Sequence, residues 1–539
     1  MSGTIRRRGP AADFEQLVVA VVMLNLLAAW ICFLLVTRKG SLWWIPLAVT
    51  MAAIDVAVFA VARRRNRSSV DSTARLLAGR RELGTATTAG ALATAARLGL
   101  PDIGVPGIYV GKTVRGGHDI WGTWEEIYVD ISGPATGKTE SRCIPNIVAA
   151  PGPVLVTSCK RHIVDATRGL REQHGRTWVF DPLGLAGERP LWYWNPLSMI
   201  GGSMKDASSL AALIMFTQRQ AHMRTDAYFD PAAQTLITLL MFAAAAEDLP
   251  ITQVREWMLR PTDDSPAAIL RAVDHDLAAA AFEALVILPP SQRAGVYGAA
   301  LNYMRWLAVP GLLPWMTPGD GREEFDFVGF SRQSTDTMYV LAHPDDRMAA
   351  PLIACLTAAT IVAGETGSPK FPGGRLPRPF LVVLDDAAIA AQLPTWPDRL
   401  SHYGSRGINV MMMLQSWAQG AGVWGQEGMA KIWGAASIRV YGGGGSEPGL
   451  WDDAAKLAGD FEARTASRTS SWKHMFGPGG VTHGSRLESI LHPSDLSSLP
   501  KDRLIVQASG RRPVLARHLP WTEGPYAEQI RESLAKYAR

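Results

Sequence analysis

The chain has 539 residues, more than one hydrophobic core usually supports, so we expect two or three domains. Hydrophobic residues make up 47% of the chain and charged residues 19%, a hydrophobic share that is high for a purely soluble protein. The formal net charge of +5 is compatible with an anionic partner such as nucleic acid or a membrane surface but does not require one. The four cysteines form no closely spaced pair, which argues against a disulfide framework or a cysteine-based zinc site and fits a reducing compartment.

Two apolar runs near the N-terminus account for the excess of hydrophobic residues. Residues 14–36 and 42–62 are each long enough to cross roughly 30 Å of hydrocarbon as a helix. Arginines bracket the pair at 6–8 and 63–67, and the positive-inside rule then places both ends in the cytoplasm. We predict that residues 1–67 form a two-helix hairpin in the inner (plasma) membrane; the alternative is two buried helices of a soluble core.

Downstream of this segment, short apolar runs alternate with helical stretches. The runs "EIYVDIS", "PVLVTSC" and "RTWVFDP" predict strands, and strands that alternate with helices indicate a parallel α/β sheet. Residues 203–316 instead carry helical patterns with little strand signal, which predicts an all-α insertion domain. The α/β pattern then resumes, so we expect one α/β domain in two parts, residues 68–202 and 317–539.

A glycine-bearing loop, "SGPATGKTE" at residues 132–140, follows the first of these strands and opens a helix. In a phosphate-binding loop, backbone N–H groups and the helix N-terminus converge on a phosphate, a lysine neutralises its oxygens and a hydroxyl binds Mg²⁺. The usual first glycine, six residues before the lysine, is Ser132 here. A chance Gly-Lys-Thr in a βα turn is the alternative. The residues predicted to bind ATP are Gly133, Pro134, Ala135, Thr136, Gly137, Lys138, Thr139 and Glu140, with Thr139 also on Mg²⁺.

Two later strand ends supply the rest of a predicted ATPase site. "FLVVLDD" ends in Asp385, a metal-side carboxylate, and Asp386, which would orient or deprotonate the attacking water but is one methylene shorter than the usual glutamate. "GINVMMMLQS" ends at Gln415, a strand-end amide able to sense hydrolysis. Arg406, just before that strand, is a candidate arginine finger toward a neighbouring subunit, and a solvated loop arginine is its alternative. Lys138, Asp386, Gln415 and Arg406 are thus the predicted catalytic residues.

Taken in order, these segments resemble the TraG/TraD type of conjugal coupling protein, the membrane-anchored ATPases of type IV secretion. The resemblance runs from roughly residue 80 to residue 520 and rests on "SGPATGKTESRCIPNIV", "YWNPLSMI", "FLVVLDDAAIA", "INVMMMLQSWAQGAGVWG" and "ESILHPSDLSSLPKDRLIVQASGRRPV". It implies a RecA-like P-loop NTPase domain interrupted by an all-α domain, and a ring of six copies. Two features depart from the family: "TSCKRH" replaces an Asp-Pro-Lys-Gly-Glu-like run, and the strand-end pair is Asp-Asp rather than Asp-Glu.

The sequence says less about what the protein transports. It carries no helix–turn–helix or zinc-finger signal, so sequence-specific DNA reading is not supported. One basic stretch places Arg464, Arg468 and Lys473 around Trp472. Basic groups track phosphates and an aromatic ring can stack on a base, which makes these four residues DNA-binding candidates, with a solvated hairpin as the alternative.

The leading hypothesis is a hexameric ATPase of a type IV secretion or conjugation system. It would couple ATP hydrolysis to recruitment of relaxase-bound single-stranded DNA and to its passage across the inner membrane toward the secretion channel. A first alternative is a nucleotide-gated docking protein that recruits secreted proteins with little hydrolysis. A second is an FtsK-like motor on duplex DNA, which would normally carry a separate DNA-reading end domain.

Overall fold

A computed structural model describes residues 69–100, 104–219, 226–445, 447–468 and 481–538. The hairpin expected at residues 1–67 lies outside these ranges and stays a prediction. Within them, two helices are long and apolar enough to span a membrane by length and composition, Phe229–Ala246 and Ala350–Lys370. Their most apolar windows are 56% and 78% buried inside the protein, as core helices are.

The described residues contain the following strands: β1 Ile108–Thr113, β2 Asp119–Gly122, β3 Tyr128–Ile131, β4 Val154–Ser158, β5 Thr177–Phe180, β6 Trp192–Tyr193, β7 Glu323–Glu324, β8 Thr337–Leu341, β9 Phe380–Leu384, β10 Ile408–Leu414, β11 Ile438–Gly442, β12 Asp460–Arg468, β13 Val481–Ser489, β14 Arg503–Ala508 and β15 Val514–Arg517.

Eleven of these strands form one mixed sheet in the order β2-β1-β15-β14-β11-β3-β10-β9-β4-β8-β5. All neighbours from β11 to β5 pair in parallel, as the alternating pattern predicts. The four strands from β14 to β2 add antiparallel pairs. The short connections at residues 509–513 between β14 and β15 and at residues 114–118 between β1 and β2 permit only hairpins. The remaining strands form two separate pairs, β6 with β7 and β12 with β13.

The α-helices within the described ranges are α1 Ser69–Thr73, α2 Arg80–Leu83, α3 Thr88–Arg97, α4 Ile144–Ala149, α5 His162–Arg171, α6 Met204–Gln218, α7 Phe229–Ala246, α8 Thr252–Met258, α9 Ser265–Ala272, α10 Asp276–Val286, α11 Pro290–Tyr303, α12 Leu313–Met316, α13 Phe327–Gln333, α14 Ala350–Gly367, α15 Ala387–Ala390, α16 Trp396–Tyr403, α17 Trp417–Ala435, α18 Pro448–Ala458, α19 Pro493–Ser497 and α20 Ala527–Tyr537. Helix α1 belongs to a first unit that ends at Thr73, and all later elements belong to a second.

Strands β9 and β10 are buried along their whole length because helices cover both faces of the sheet. Every residue of β9, "FLVVL", and of β10, "INVMMML", is buried. The methionine run of β10 is therefore core, where the adaptable thioether side chain fills irregular space. Helices α14, α16 and α17 all contact β10.

The segment from Met204 to Met316 contains helices α6 to α12 and, among its described residues, no strand. This agrees with the helical pattern read from residues 203–316. Helix α6 packs against α14, which also contacts the sheet, and these helices belong to the same compact unit as the sheet. A separate all-α domain with those boundaries therefore remains a prediction.

Candidate nucleotide site

Four adjacent parallel strands end at one edge of the sheet. In the order β3, β10, β9 and β4, they lead into the predicted phosphate loop, Gln415, the Asp385–Asp386 pair and Lys160. The carboxyl ends of parallel strands are where open α/β sheets bind ligands. Because β10 lies between β3 and β9, Gln415 is placed between the loop and the carboxylates.

The loop after β3 curls around its own lysine. The Lys138 ammonium donates to the carbonyl oxygens of Ser132 at 2.5 Å and Gly133 at 2.9 Å, and burial lowers the pKa of this group. Ala135 and Gly137 have φ angles of 54° and 77°, in the left-handed region that lets the backbone turn so tightly. The loop is therefore a closed nest whose lysine is held inward by two carbonyls rather than by a carboxylate.

Ser132 replaces the usual first glycine without strain. It does not have a positive φ, its backbone N–H donates to Leu414 at 3.1 Å, and its hydroxyl donates to Asp130. Gly133 is the position at which a side chain would not fit, because a Cβ there would lie 2.0 Å from the carbonyl oxygen of Gly444. Glycine is therefore required at position 133 rather than at position 132, because the loop that follows β11 approaches Gly133 closely.

A buried ion pair fastens the two ends of the phosphate loop to each other. Arg142 Nε lies 2.6 Å from Asp130 Oδ2, and neither side chain is exposed. Asp130 belongs to β3 before the loop, whereas Arg142 belongs to the π-helical turn Thr139–Cys143 after it. The Tyr128 hydroxyl donates to the same carboxylate at 3.0 Å. The sequence signal that could have revealed this pair is an aspartate inside an otherwise apolar strand.

His518, which lies just after β15, also contacts this loop and the helical turn that follows it. His518 Nε2 donates to the Lys501 carbonyl at 2.5 Å, and its Nδ1 lies 3.2 Å from the Ser141 hydroxyl and 3.4 Å from Arg142 Nη1. Burial, and next the Arg142 guanidinium, lower the pKa of His518 to about 4, so the ring is neutral at physiological pH. No local pattern in the sequence predicts this contact.

The residues predicted to bind Mg²⁺, Thr139 and Asp385, face each other across this edge of the sheet. Thr139 Oγ1 lies 3.2 Å from both carboxylate oxygens of Asp385, and the Ser158 hydroxyl donates to Asp385 Oδ2 at 3.0 Å. Burial raises the pKa of the fully buried Asp385 carboxyl, and the Lys160 ammonium opposes that shift. A hydroxyl and a carboxylate facing one another suit Mg²⁺, which takes one or two protein side chains together with phosphate oxygens and water.

A larger all-protein metal cage is not seen, since no three His, Cys, Asp or Glu side chains cluster as metal ligands within the part of the chain that the structure describes. Thr139 and Asp385 are thus suited to share a cation with a phosphorylated ligand rather than to hold one alone.

The second carboxylate has an unusual backbone. Asp386 has φ 57° and ψ 50°, the left-handed conformation, and only 4% of it is exposed. Aspartate adopts this conformation more readily than most residues, which gives a physical reason for aspartate at this position. Its Oδ1 accepts a hydrogen bond from Gln415 Nε2 at 2.8 Å. The structure therefore joins the predicted water-orienting acid directly to the predicted sensor amide.

The remaining residues predicted to bind ATP or to act in catalysis lie away from the Lys138, Thr139, Asp385 and Gln415 side chains or have other partners. Pro134 and Ala135 are exposed at the tip of the loop, and Glu140 is engaged by His162 at 3.2 Å and by the Trp521 indole. Arg406 lies before β10, at the opposite end of that strand from Gln415. Its Nη1 donates to the Glu365 carbonyl at 3.2 Å.

The structure does not bring Arg406 to the Gln415 end of the sheet within one chain, so a finger role would have to be played in a neighbouring subunit. Of the DNA-binding candidates, Arg464 and Arg468 lie in β12, while Trp472 and Lys473 lie outside the described residues. These roles stay predictions.

One segment of the chain matches a known protein family. Residues 379–501, which include Asp385, Asp386 and Gln415, match a family model described as the TraM recognition site of TraD and TraG. A search of curated proteins found no match.

Solved structures of the bacterial conjugative coupling protein TrwB share the fold. The unbound TrwBdeltaN70 has a TM-score of 0.53 at 15% identity over 74% of this chain and 85% of that one. TrwB in complex with ADP and Mg²⁺ has a TM-score of 0.51 at 15% identity over 74% and 86%. The complex with the ATP analogue ADPNP has a TM-score of 0.51 at 14% identity over the same shares. The resemblance to the TraG/TraD-type coupling proteins is therefore confirmed, in the fold and in residues 379–501.

Proposed function

We propose that this chain is a membrane-anchored P-loop ATPase that acts as a coupling protein in conjugation or type IV secretion. The observation that carries the proposal is the convergence of Lys138, Thr139, Asp385 and Gln415 at one edge of a sheet whose fold is shared with TrwB. The TrwB structures that contain ADP with Mg²⁺ or ADPNP support a nucleotide as the ligand.

Each side chain then has a distinct task. Lys138 exchanges its two carbonyl partners for phosphate oxygens, while the loop N–H groups and the helix N-terminus hold the phosphate. Thr139 and Asp385 hold Mg²⁺, which neutralises negative charge on the phosphates when bound. Asp386 orients or deprotonates the attacking water, and Gln415 transmits any change at Asp386 to β10 and α17 through their hydrogen bond.

The transport role extends this proposal to partners. We expect a hexameric ring in which Arg406 reaches the neighbouring subunit, relaxase-bound single-stranded DNA as the cargo, and contact with the secretion channel at the inner membrane. The family description names a TraM recognition site, which supports docking of a protein partner on residues 379–501. Arg464, Arg468, Trp472 and Lys473 are the proposed DNA contacts.

The test is ATP turnover by the full-length chain in detergent micelles, alone, with single-stranded DNA and with duplex DNA. We expect a basal rate that rises with single-stranded DNA and is abolished by Lys138→Ala. Lys456→Ala, which changes an exposed lysine on α18, is the matched control. ATP binding without turnover would favour the docking-protein alternative, and stimulation by duplex DNA alone would favour the FtsK-like motor. A wild-type rate in Lys138→Ala would refute the site itself.

A further inference from the structure

A second lysine, Lys160, faces the proposed catalytic carboxylates from the neighbouring strand end. It follows β4 by two residues, and β4 pairs in parallel with β9. Its ammonium nitrogen lies 3.9 Å from Asp385 Oδ2, 3.8 Å from Asp386 Oδ2 and 3.5 Å from Thr139 Oγ1. One cation therefore approaches all three side chains to which the metal and the water are assigned.

The contacts of this ammonium with the two carboxylates are loose. Both N–O distances exceed hydrogen-bond length, so the attraction is mainly Coulombic. The Lys160 side chain is 54% exposed, whereas those of Asp385 and Asp386 are 0% and 5% exposed. Because the lysine is half solvated, its ammonium can leave when a divalent cation takes over the charge compensation of the buried carboxylates. Partial burial opposes the charge, but Asp385 and then Asp386 raise the pKa of Lys160, which keeps it protonated.

The backbone of Lys160, in contrast, is fixed. Its N–H donates to the Ser158 hydroxyl at 3.1 Å, and that hydroxyl donates to Asp385 Oδ2 at 3.0 Å. The base of the side chain is thus tied to the metal-side carboxylate while its tip remains free to move. Lys138 has the opposite character, because it is buried and held by the Ser132 and Gly133 carbonyls.

We propose that Lys160 is the residue by which this site distinguishes a nucleoside triphosphate from a diphosphate. The inference rests on the proposed function. The ammonium moves off Asp385 when that carboxylate binds a divalent cation, because like charges repel, and it binds the terminal phosphate instead. A diphosphate lacks that phosphate, so its binding depends on Lys138 and the loop but only weakly on Lys160.

The test measures equilibrium binding rather than turnover. Full-length protein in detergent, with excess Mg²⁺, is titrated with ADPNP or with ADP in competition against a fluorescent nucleotide. Replacing a charged hydrogen-bonding partner predicts at least about 10-fold weaker ADPNP binding in Lys160→Ala, with ADP affinity within about threefold of wild type. Lys160→Arg keeps the charge and should retain most of the preference for ADPNP. Lys456→Ala is the control and should match wild type.

Two outcomes would overturn the inference while leaving the proposed nucleotide site in place. In one, Lys160→Ala binds both nucleotides as wild type does. In the other, it weakens both equally, as a general change of site charge would. A wild-type chain that binds neither nucleotide, or a Lys138→Ala variant with unchanged affinity, would overturn the proposed function and this inference together. Because Lys160 is half exposed, thermal unfolding of Lys160→Ala should match wild type, which separates lost recognition from lost folding.

Discussion

Gly133→Ala tests whether the phosphate loop depends on the close approach of the loop after β11. The added Cβ would lie 2.0 Å from the Gly444 oxygen and 2.2 Å from its carbonyl carbon, and both neighbours are backbone atoms that cannot rotate away. One of the two loops must move by about 1.4 Å before the contact with the oxygen reaches an ordinary 3.4 Å. Overpacking of this kind costs about 1–3 kcal/mol. If the strain falls on the binding-competent loop, nucleotide affinity drops by about 5- to 150-fold.

The assay is competition binding of ADP and ADPNP to the full-length chain, together with the unfolding temperature. Gly445→Ala is the matched control, because it lies in the same loop, has no positive φ, and its added Cβ would have no neighbour within 4 Å. We expect Gly445→Ala to bind normally and Gly133→Ala to bind more weakly. Equal affinities in Gly133→Ala and wild type would refute the view that glycine is required at this position by steric contact.

Three further outcomes follow from the site. Asp386→Asn keeps the left-handed backbone and an acceptor for Gln415 but removes the negative charge. ATP turnover should fall at least about 10-fold while the affinity for ADPNP is retained. Unchanged turnover would rule out Asp386 as the water-orienting acid. Asp130→Ala leaves the buried Arg142 guanidinium without its carboxylate and should lower the free energy of unfolding, measured by denaturant titration, by about 3–5 kcal/mol. The double variant with Arg142→Met should recover part of that loss. An effect below about 1 kcal/mol would contradict a stabilising role for the buried ion pair. The pKa of His518 is lowered from 6.5 to about 4, so the unfolded chain binds the proton first as the pH falls. Stability should therefore fall by up to about 3 kcal/mol as the pH drops from about 6.5 toward 4. In His518→Gln the unfolding temperature should depend less on pH in that window, and a pH profile identical to wild type would contradict the assignment.

The parts of the site that lie at strand ends could be predicted from the sequence. Asp385 and Gln415 each close an apolar run, and parallel strands deliver their carboxyl ends to the same edge, so proximity followed from topology alone. Their roles, and those of the loop residues, remain proposals. The seven parallel strands were likewise predictable from the alternation of strand and helix.

Other parts depend on contacts between distant segments and have no local signal. The approach of Gly444 to Gly133 joins residues about 300 positions apart, and the placement of His518 beside Ser141 joins residues still further apart. The antiparallel pairing of β14 with β15 has no local signal, because an apolar run such as "RLIVQA" looks the same in a parallel or an antiparallel strand. The sequence singles out Lys160 only as the lysine that "TSCKRH" shares with the family's Asp-Pro-Lys-Gly-Glu-like run. Its side-chain partners, Thr139, Asp385 and Asp386, follow other strands, so no local pattern shows the contact.

The position of β3 between β10 and β11 has a consequence for biosynthesis. The strand that carries the phosphate loop has both of its sheet neighbours later in the chain, from residue 408 onward. At about 5–20 residues per second, the ribosome needs about 15–60 s after completing the loop to finish β11. During that time the loop lacks the Leu414 and Gly443 carbonyls that later accept its N–H groups. If the loop binds nucleotide as proposed, a nascent chain should gain that affinity only after β10 and β11 have been synthesised.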